Sequence, residues 1–168
     1  MVTLFQRLLT NALIYVDDIL LFSKYEESHA KLLTEFYNLV KSQGIMLSQK
    51  KMVIVQSSIN FLGVNILDGR YTLQAHIAAS LGEFPNKLTS AKQIQQFLGI
   101  VNYMSDFIPK ISRYRNCLAQ LLKKSPLDWN SIHTEAIQQL KKLAEKLPSL
   151  QIPGPGKQIL QIDASDEY

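Results

Sequence analysis

The chain has 168 residues, 46% of them hydrophobic, with 18 basic and 14 acidic side chains and a formal net charge of +4. That apolar content suffices for one folded domain or two small ones, and neither internal repeats nor a low-complexity tract interrupts it. A lone cysteine, Cys117, excludes an intrachain disulfide and a Cys-rich zinc site, and the longest apolar run is too short to cross a bilayer.

In chain order, Val2 to Leu9 is apolar around Gln6 and Arg7 and reads as helical or irregular. Leu13-Ile14-Tyr15-Val16 and Ile19-Leu20-Leu21-Phe22 are two apolar runs separated by turn-tolerant residues. They predict a β-hairpin with Asp17-Asp18 at its tip. Glu26 to Gln43 has helical spacing, with Leu32, Leu33, Phe36, Leu39 and Val40 on one face and Gly44 as a C-terminal cap. Ile45 to Leu47 and Met52 to Val55 read as short strands. Ile59 to Leu67 reads as a further strand, and Tyr71 to Leu73 pairs back through the turn Asp68-Gly69. A helix over a small antiparallel sheet is an α+β unit.

Beyond Ala75 the pattern becomes helical. Thr89-Ser90 suits an N-cap, and Ile94, Phe97, Leu98, Val101 and Met104 then line one side of a helix that Pro109 ends. Ser112 to Lys124 and Ser131 to Leu147 read as two more helices. Pro148 to Lys157 is rich in proline and glycine and reads as a linker, and Lys157 to Asp163 reads as a strand.

Two adjacent carboxylates inside an apolar run are costly to bury unless a cation compensates them. Mg²⁺ is the natural compensation, since it takes one or two carboxylates together with substrate phosphates. The alternative is an ordinary surface turn, because Asp favours turns for local hydrogen-bonding reasons. The pair alone leaves both open. The stretch from Lys87 to Lys124 also holds Lys92, Lys110, Arg113, Arg115 and Lys123 against Asp106 alone. It is either a phosphate-contacting surface or a solvated helix face.

Context adds a resemblance. Tyr15-Val16-Asp17-Asp18 with its flanks resembles the active-site hairpin of reverse transcriptases. Phe5-Gln6-Arg7, Ile59-Asn60-Phe61-Leu62-Gly63, Phe97-Leu98-Gly99-Ile100-Val101-Asn102-Tyr103 and Phe107-Ile108-Pro109 stand in the order found in retroelement pol polyproteins. The family resembled is that of plant pararetroviruses, with gypsy-type long-terminal-repeat retrotransposons next. The resemblance covers nearly the whole chain. It implies the C-terminal part of a polymerase palm over 1–79, thumb and connection helices over 80–150, and a linker with the first strand of a ribonuclease H domain over 151–168.

The resemblance also implies roles. Asp17 and Asp18 are catalytic metal ligands for Mg²⁺, and Tyr15 lies near the template-primer, although Tyr is also simply a good strand former. Phe61-Leu62-Gly63 positions the primer terminus. Lys110, Arg113 and Arg115, with Tyr103, face the duplex. Asp163 is the first metal ligand of a ribonuclease H site that needs further acidic residues. The implied partners are an RNA or DNA template-primer duplex, deoxynucleoside triphosphates and other pol fragments, with no membrane. The family's earlier palm aspartate and its fingers have no counterpart in the sequence, and the interval between Arg7 and Leu13 is contracted. The chain therefore reads as a fragment, inactive alone as polymerase or ribonuclease H, of a decayed or truncated element. The alternatives are a non-catalytic nucleic-acid-binding remnant, or a marginal fold with an exposed sheet edge and no molecular function. No targeting signal decides between cytoplasm and nucleus.

Overall fold

The computed structural model describes residues 4–125 and 128–154, so the strand read at Lys157 to Asp163 lies outside the described residues. The fold is α+β with antiparallel sheets, and the chain forms two compact units, Met1–Gln56 and Ser57–Tyr168. The boundary read at 79/80 falls inside a helix of the second.

In the first unit, β1 (Ala12–Tyr15) and β2 (Asp18–Leu21) make a two-stranded antiparallel hairpin. A lone hairpin is marginal in water, so it needs another element to cover one face. That element is α1 (Glu26–Ser42). Phe5, Leu8, Ala12 and Val40 are buried together, with Ile14, Ile19, Leu21, Leu32, Phe36 and Leu39 packed against them. Phe5 stacks on Phe36 with ring centroids 5.6 Å apart. The α1 terminus is a Schellman cap: Gly44 takes φ +65°, its N–H donates to Lys41 and the Ile45 N–H donates to Val40.

Two expectations in this unit are corrected. The hairpin pairs Tyr15 with Asp18, Ile14 with Ile19 and Ala12 with Leu21, so its two-residue tip is Val16-Asp17 and Asp18 begins β2. The base of the hairpin sets that register. Asn11 and Phe22 close it with a backbone bond of 3.0 Å and a side-chain bond of 3.2 Å, and Ala12 is drawn into the core. Ile45 to Leu47 and Met52 to Val55 are not strands but irregular chain around a 3-10 turn, Gln49–Lys51. Their apolar side chains lie largely in solvent, Met46 at 95% exposure. A β-prone segment becomes a strand only with a ladder partner, and none pairs with these among the described residues.

The second unit holds β3 (Ser58–Phe61), β4 (Val64–Leu67), β5 (Arg70–Leu73) and β6 (Leu150–Gln151) in one antiparallel sheet of that order. The single strand read over Ile59 to Leu67 is thus two strands. Leu62 and Gly63 between them both take positive φ, +45° and +76°, which is the geometry of a type I′ turn. Asp68-Gly69 makes the second such turn, as expected from its sequence. Leu150-Gln151, which the proline and glycine content placed at a linker, pairs with Tyr71 and Arg70 as an edge strand between Pro148 and Pro153.

The described residues of this unit also form the α-helices α2 (Ala75–Gly82), α3 (Ala91–Tyr103), α4 (Ser112–Gln120) and α5 (Ser131–Ala144). The helix α2 had no sequence expectation. The next three were expected, and each stops short of its expected end. The α3 N-terminus is capped by the Ser90 hydroxyl accepting from the Gln93 N–H, and α5 begins with a capping box between Asn130 and His133. Phe97, Leu98, Val101, Met104, Leu118, Ile137 and Leu140 are buried in one core with Leu81.

Candidate functional site

The first set of candidate residues sits on the β1–β2 hairpin. Asp17 lies in the turn, Asp18 opens β2, and Tyr15 stands directly opposite Asp18. All three side chains are exposed. The cost of burying two charges therefore does not apply, and geometry, not desolvation, is what favours a cation here. Two adjacent carboxylates project from a turn whose strands are anchored by a packed core. Among the described residues no group of three His, Cys, Asp or Glu gathers anywhere. The hairpin thus offers a divalent ion its pair of carboxylates and no third acidic or imidazole ligand.

The turn carries a feature the sequence did not signal. Val16, its first residue, takes φ +52°, while Asp17 does not share the positive sign. That is a type II′ arrangement, whose first position normally belongs to glycine. A β-branched residue there is a genuine outlier, held by the surrounding structure at a cost of about 1–3 kcal/mol, and such outliers cluster at functional sites. Val16→Gly is expected to stabilise this unit by about 0.5–1 kcal/mol, the relief of strain exceeding the entropy lost by glycine. A higher urea midpoint with an unchanged denaturant slope would report it, and a lower midpoint would contradict it.

The second set lies in the other unit. Phe61, Leu62 and Gly63 form the end of the β3–β4 hairpin, with Leu62-Gly63 at its tip. Gly63 has a packing reason to lack a side chain. A Cβ on Gly63 would stand 2.8 Å from Tyr103 Cζ and 2.9 Å from Ile77 Cδ1, so the space is filled by the chain's own side chains. The Tyr103 hydroxyl donates to the Leu62 carbonyl. Burial raises the pKa of that hydroxyl above the ordinary value of 10.0.

Lys110, Arg113 and Arg115 are exposed after the end of α3. Arg115 Nη1 donates to Asn102 Oδ1 at 3.2 Å, and the Arg113 guanidinium lies 5.2 Å from the centre of the Tyr114 ring. Among the described residues none of the three pairs with a carboxylate, and the ion pair found there is Lys31–Glu27 on α1. Three exposed cations, on and just before one helix, can meet anionic groups from outside. Asp163 lies outside the described residues. The structure thus brings Tyr15, Asp17 and Asp18 together in one unit, and the Phe61–Gly63 tip and the three cations in the other. No described helix is long and apolar enough to cross a membrane.

Residues 1–66 match the sequence model of the family described as reverse transcriptase (RNA-dependent DNA polymerase). Across all 168 residues the chain is 51% identical to the genome polyprotein of Petunia vein clearing virus, of which it spans 8%. Over 157 residues, 92% of the chain, it is 41% identical to the enzymatic polyprotein of Cauliflower mosaic virus (strain D/H) and spans 23% of it. The fold is similar to that of a foamy viral protease-reverse transcriptase solved in complex with double-stranded DNA, with TM-score 0.77, 22% identity, and coverage of 89% of this chain and 27% of the other.

Proposed function

We propose, from a chain that is a relative of the plant pararetroviral polyproteins and carries reverse transcriptase sequence over residues 1–66, that it is a segment of an RNA-directed DNA polymerase. The observation that carries this reading is the hairpin turn, where Val16 at φ +52° presents Asp17 and Asp18 side by side to solvent. In phosphoryl transfer, Mg²⁺ ions activate the attacking hydroxyl and neutralise charge on the departing pyrophosphate. Asp17 and Asp18 would hold them. Tyr15, opposite Asp18, borders the place where template and primer meet. Phe61, Leu62 and Gly63 would position the primer terminus, and Lys110, Arg113 and Arg115 would contact the sugar–phosphate backbone of a template-primer duplex.

On this reading residues 1–79 contribute to a palm, 80–150 to thumb and connection, and 151–168 to a linker and the start of a ribonuclease H domain, with Asp163 as its first metal ligand. Deoxynucleoside triphosphates are the substrates of the assembled polymerase. Among the described residues the two carboxylates have no third ligand beside them, which makes an incomplete two-metal site, so the chain alone is proposed to be inactive in polymerisation. A non-catalytic grip on duplex is the second reading, favoured by the same missing ligand. The foamy viral neighbours were solved in complex with double-stranded DNA and with RNA/DNA hybrid, which supports a duplex as the partner in both readings.

Both readings share a binding test. Fluorescence anisotropy with a labelled duplex is expected to give an affinity that falls steeply with salt and ignores sequence. Replacing Lys110, Arg113 and Arg115 by Ala is expected to flatten the log–log salt slope by about 0.9 for each phosphate no longer neutralised. A slope unchanged in the triple variant would remove these residues from the interface. Extension assays then separate the two readings.

A further inference from the structure

The β3–β4 tip is tethered to a degree that a surface turn does not need. Its two carbonyls are both engaged: Leu62 accepts from the Tyr103 hydroxyl, and Gly63 accepts from the Gln74 N–H at 3.0 Å. Tyr103 also fills the space against Gly63 that any other residue's Cβ would occupy. It is the last residue of α3, and its neighbour Asn102 accepts from Arg115. The end of α3 therefore holds the hairpin tip with Tyr103 and the Arg115 guanidinium with the residue before it. Tyr103 is still 45% exposed, so this junction stands at the surface of its unit.

We propose that Tyr103 is a positioning residue, whose hydroxyl and ring fix the Phe61–Gly63 tip to the end of α3 so that a nucleic-acid duplex meets the tip and Arg115 as one preset surface. This rests on the duplex-binding reading above. The physical reason is preorganisation: a contact group held before binding spends less conformational entropy when the partner arrives. The tyrosine acts through the tip it holds, by packing and one hydrogen bond.

Hydrogen exchange on the full chain tests it, using Tyr103→Phe and a short DNA duplex. In the free protein the variant is expected to exchange amides of residues 58–67 about fivefold faster, the loss of one ordinary hydrogen bond, while α5 is unchanged. With duplex added, protection of the tip is expected in the wild type and not in the variant. Overall affinity should stay within about threefold, because the phosphate contacts survive. Unchanged tip exchange in the free variant would overturn the proposal, and so would equal duplex protection in both proteins. Faster exchange spread equally over 58–67 and α5 would mean a general stability role and would overturn it too. No duplex binding by the wild type would instead remove the polymerase reading, and the positioning role with it. A double-mutant cycle gives a second, duplex-free check: Gly63→Ala should lower the melting midpoint less in the Tyr103→Phe background, where the oxygen nearest the new Cβ is gone. Additive losses would contradict the packing.

Discussion

Combined with a polymerase segment that supplies a third carboxylate, the chain is expected to extend a DNA primer on an RNA template with Mg²⁺, and Asp17→Asn with Asp18→Asn to lower that extension about a thousandfold or more. Metal ions contribute several kcal/mol to stabilising charge in the transition state, and each 1.4 kcal/mol is about tenfold in rate. An amide keeps the shape of the side chain and loses the charge that holds the ion. Both side chains are exposed, so the substitution should leave stability within about 0.5 kcal/mol. Duplex affinity should not fall either, since two negative charges near the backbone are removed. Equal extension by the variant would reduce the pair to turn residues. The chain alone is expected to give no extension. Extension by it alone, abolished in the variant, would mean that another ligand completes the site.

The second large effect is on the core of the Ser57–Tyr168 unit. Phe97→Ala is expected to cost about 3–5 kcal/mol. Phe97 is completely buried on α3 and meets Phe84 edge-on, with ring centroids 5.4 Å apart at 81°. A loss of that size is a large part of the roughly 5–15 kcal/mol of a typical domain. The melting midpoint should drop by about 15 °C or more, read by circular dichroism. Ile132→Ala on α5 is the control, because that side chain is 61% exposed and should change stability by no more than about 0.5 kcal/mol. Comparable drops in both variants would mean that the apolar stripe of α3 is not the organising element of this core.

Much of this was legible in the residues. The apolar spacing of α1, α3, α4 and α5 reports their buried faces directly, because a helix must turn one stripe inward. Ser90 and Gly44 announced helix ends through hydrogen bonds that need no distant partner. Asp68-Gly69 announced its turn, since a type I′ turn needs positive φ at both positions. The fold likeness to reverse transcriptases and the relation to pararetroviral polyproteins were also readable from ordered motifs, Tyr15 to Asp18 foremost.

What depended on partners was not legible. Met52 to Val55 has strand propensity, yet no neighbouring strand pairs with it among the described residues. Leu150-Gln151 reads as linker, yet β5 offers it an edge. The helix α2 is short and apolar, and periodicity over so few residues cannot be told from a strand or a loop. Sequence alone thus determined which residues are chemically able to act, and the local turns and helix faces that carry them. Tertiary structure decided three further things. Asn11 and Phe22 set the register that moves the hairpin tip to Val16-Asp17, the two-residue turn left by that register puts Val16 at a backbone angle its side chain disfavours, and Tyr103 occupies the space left by Gly63. Each depends on residues distant along the chain meeting in space, and local propensity carries no record of such meetings.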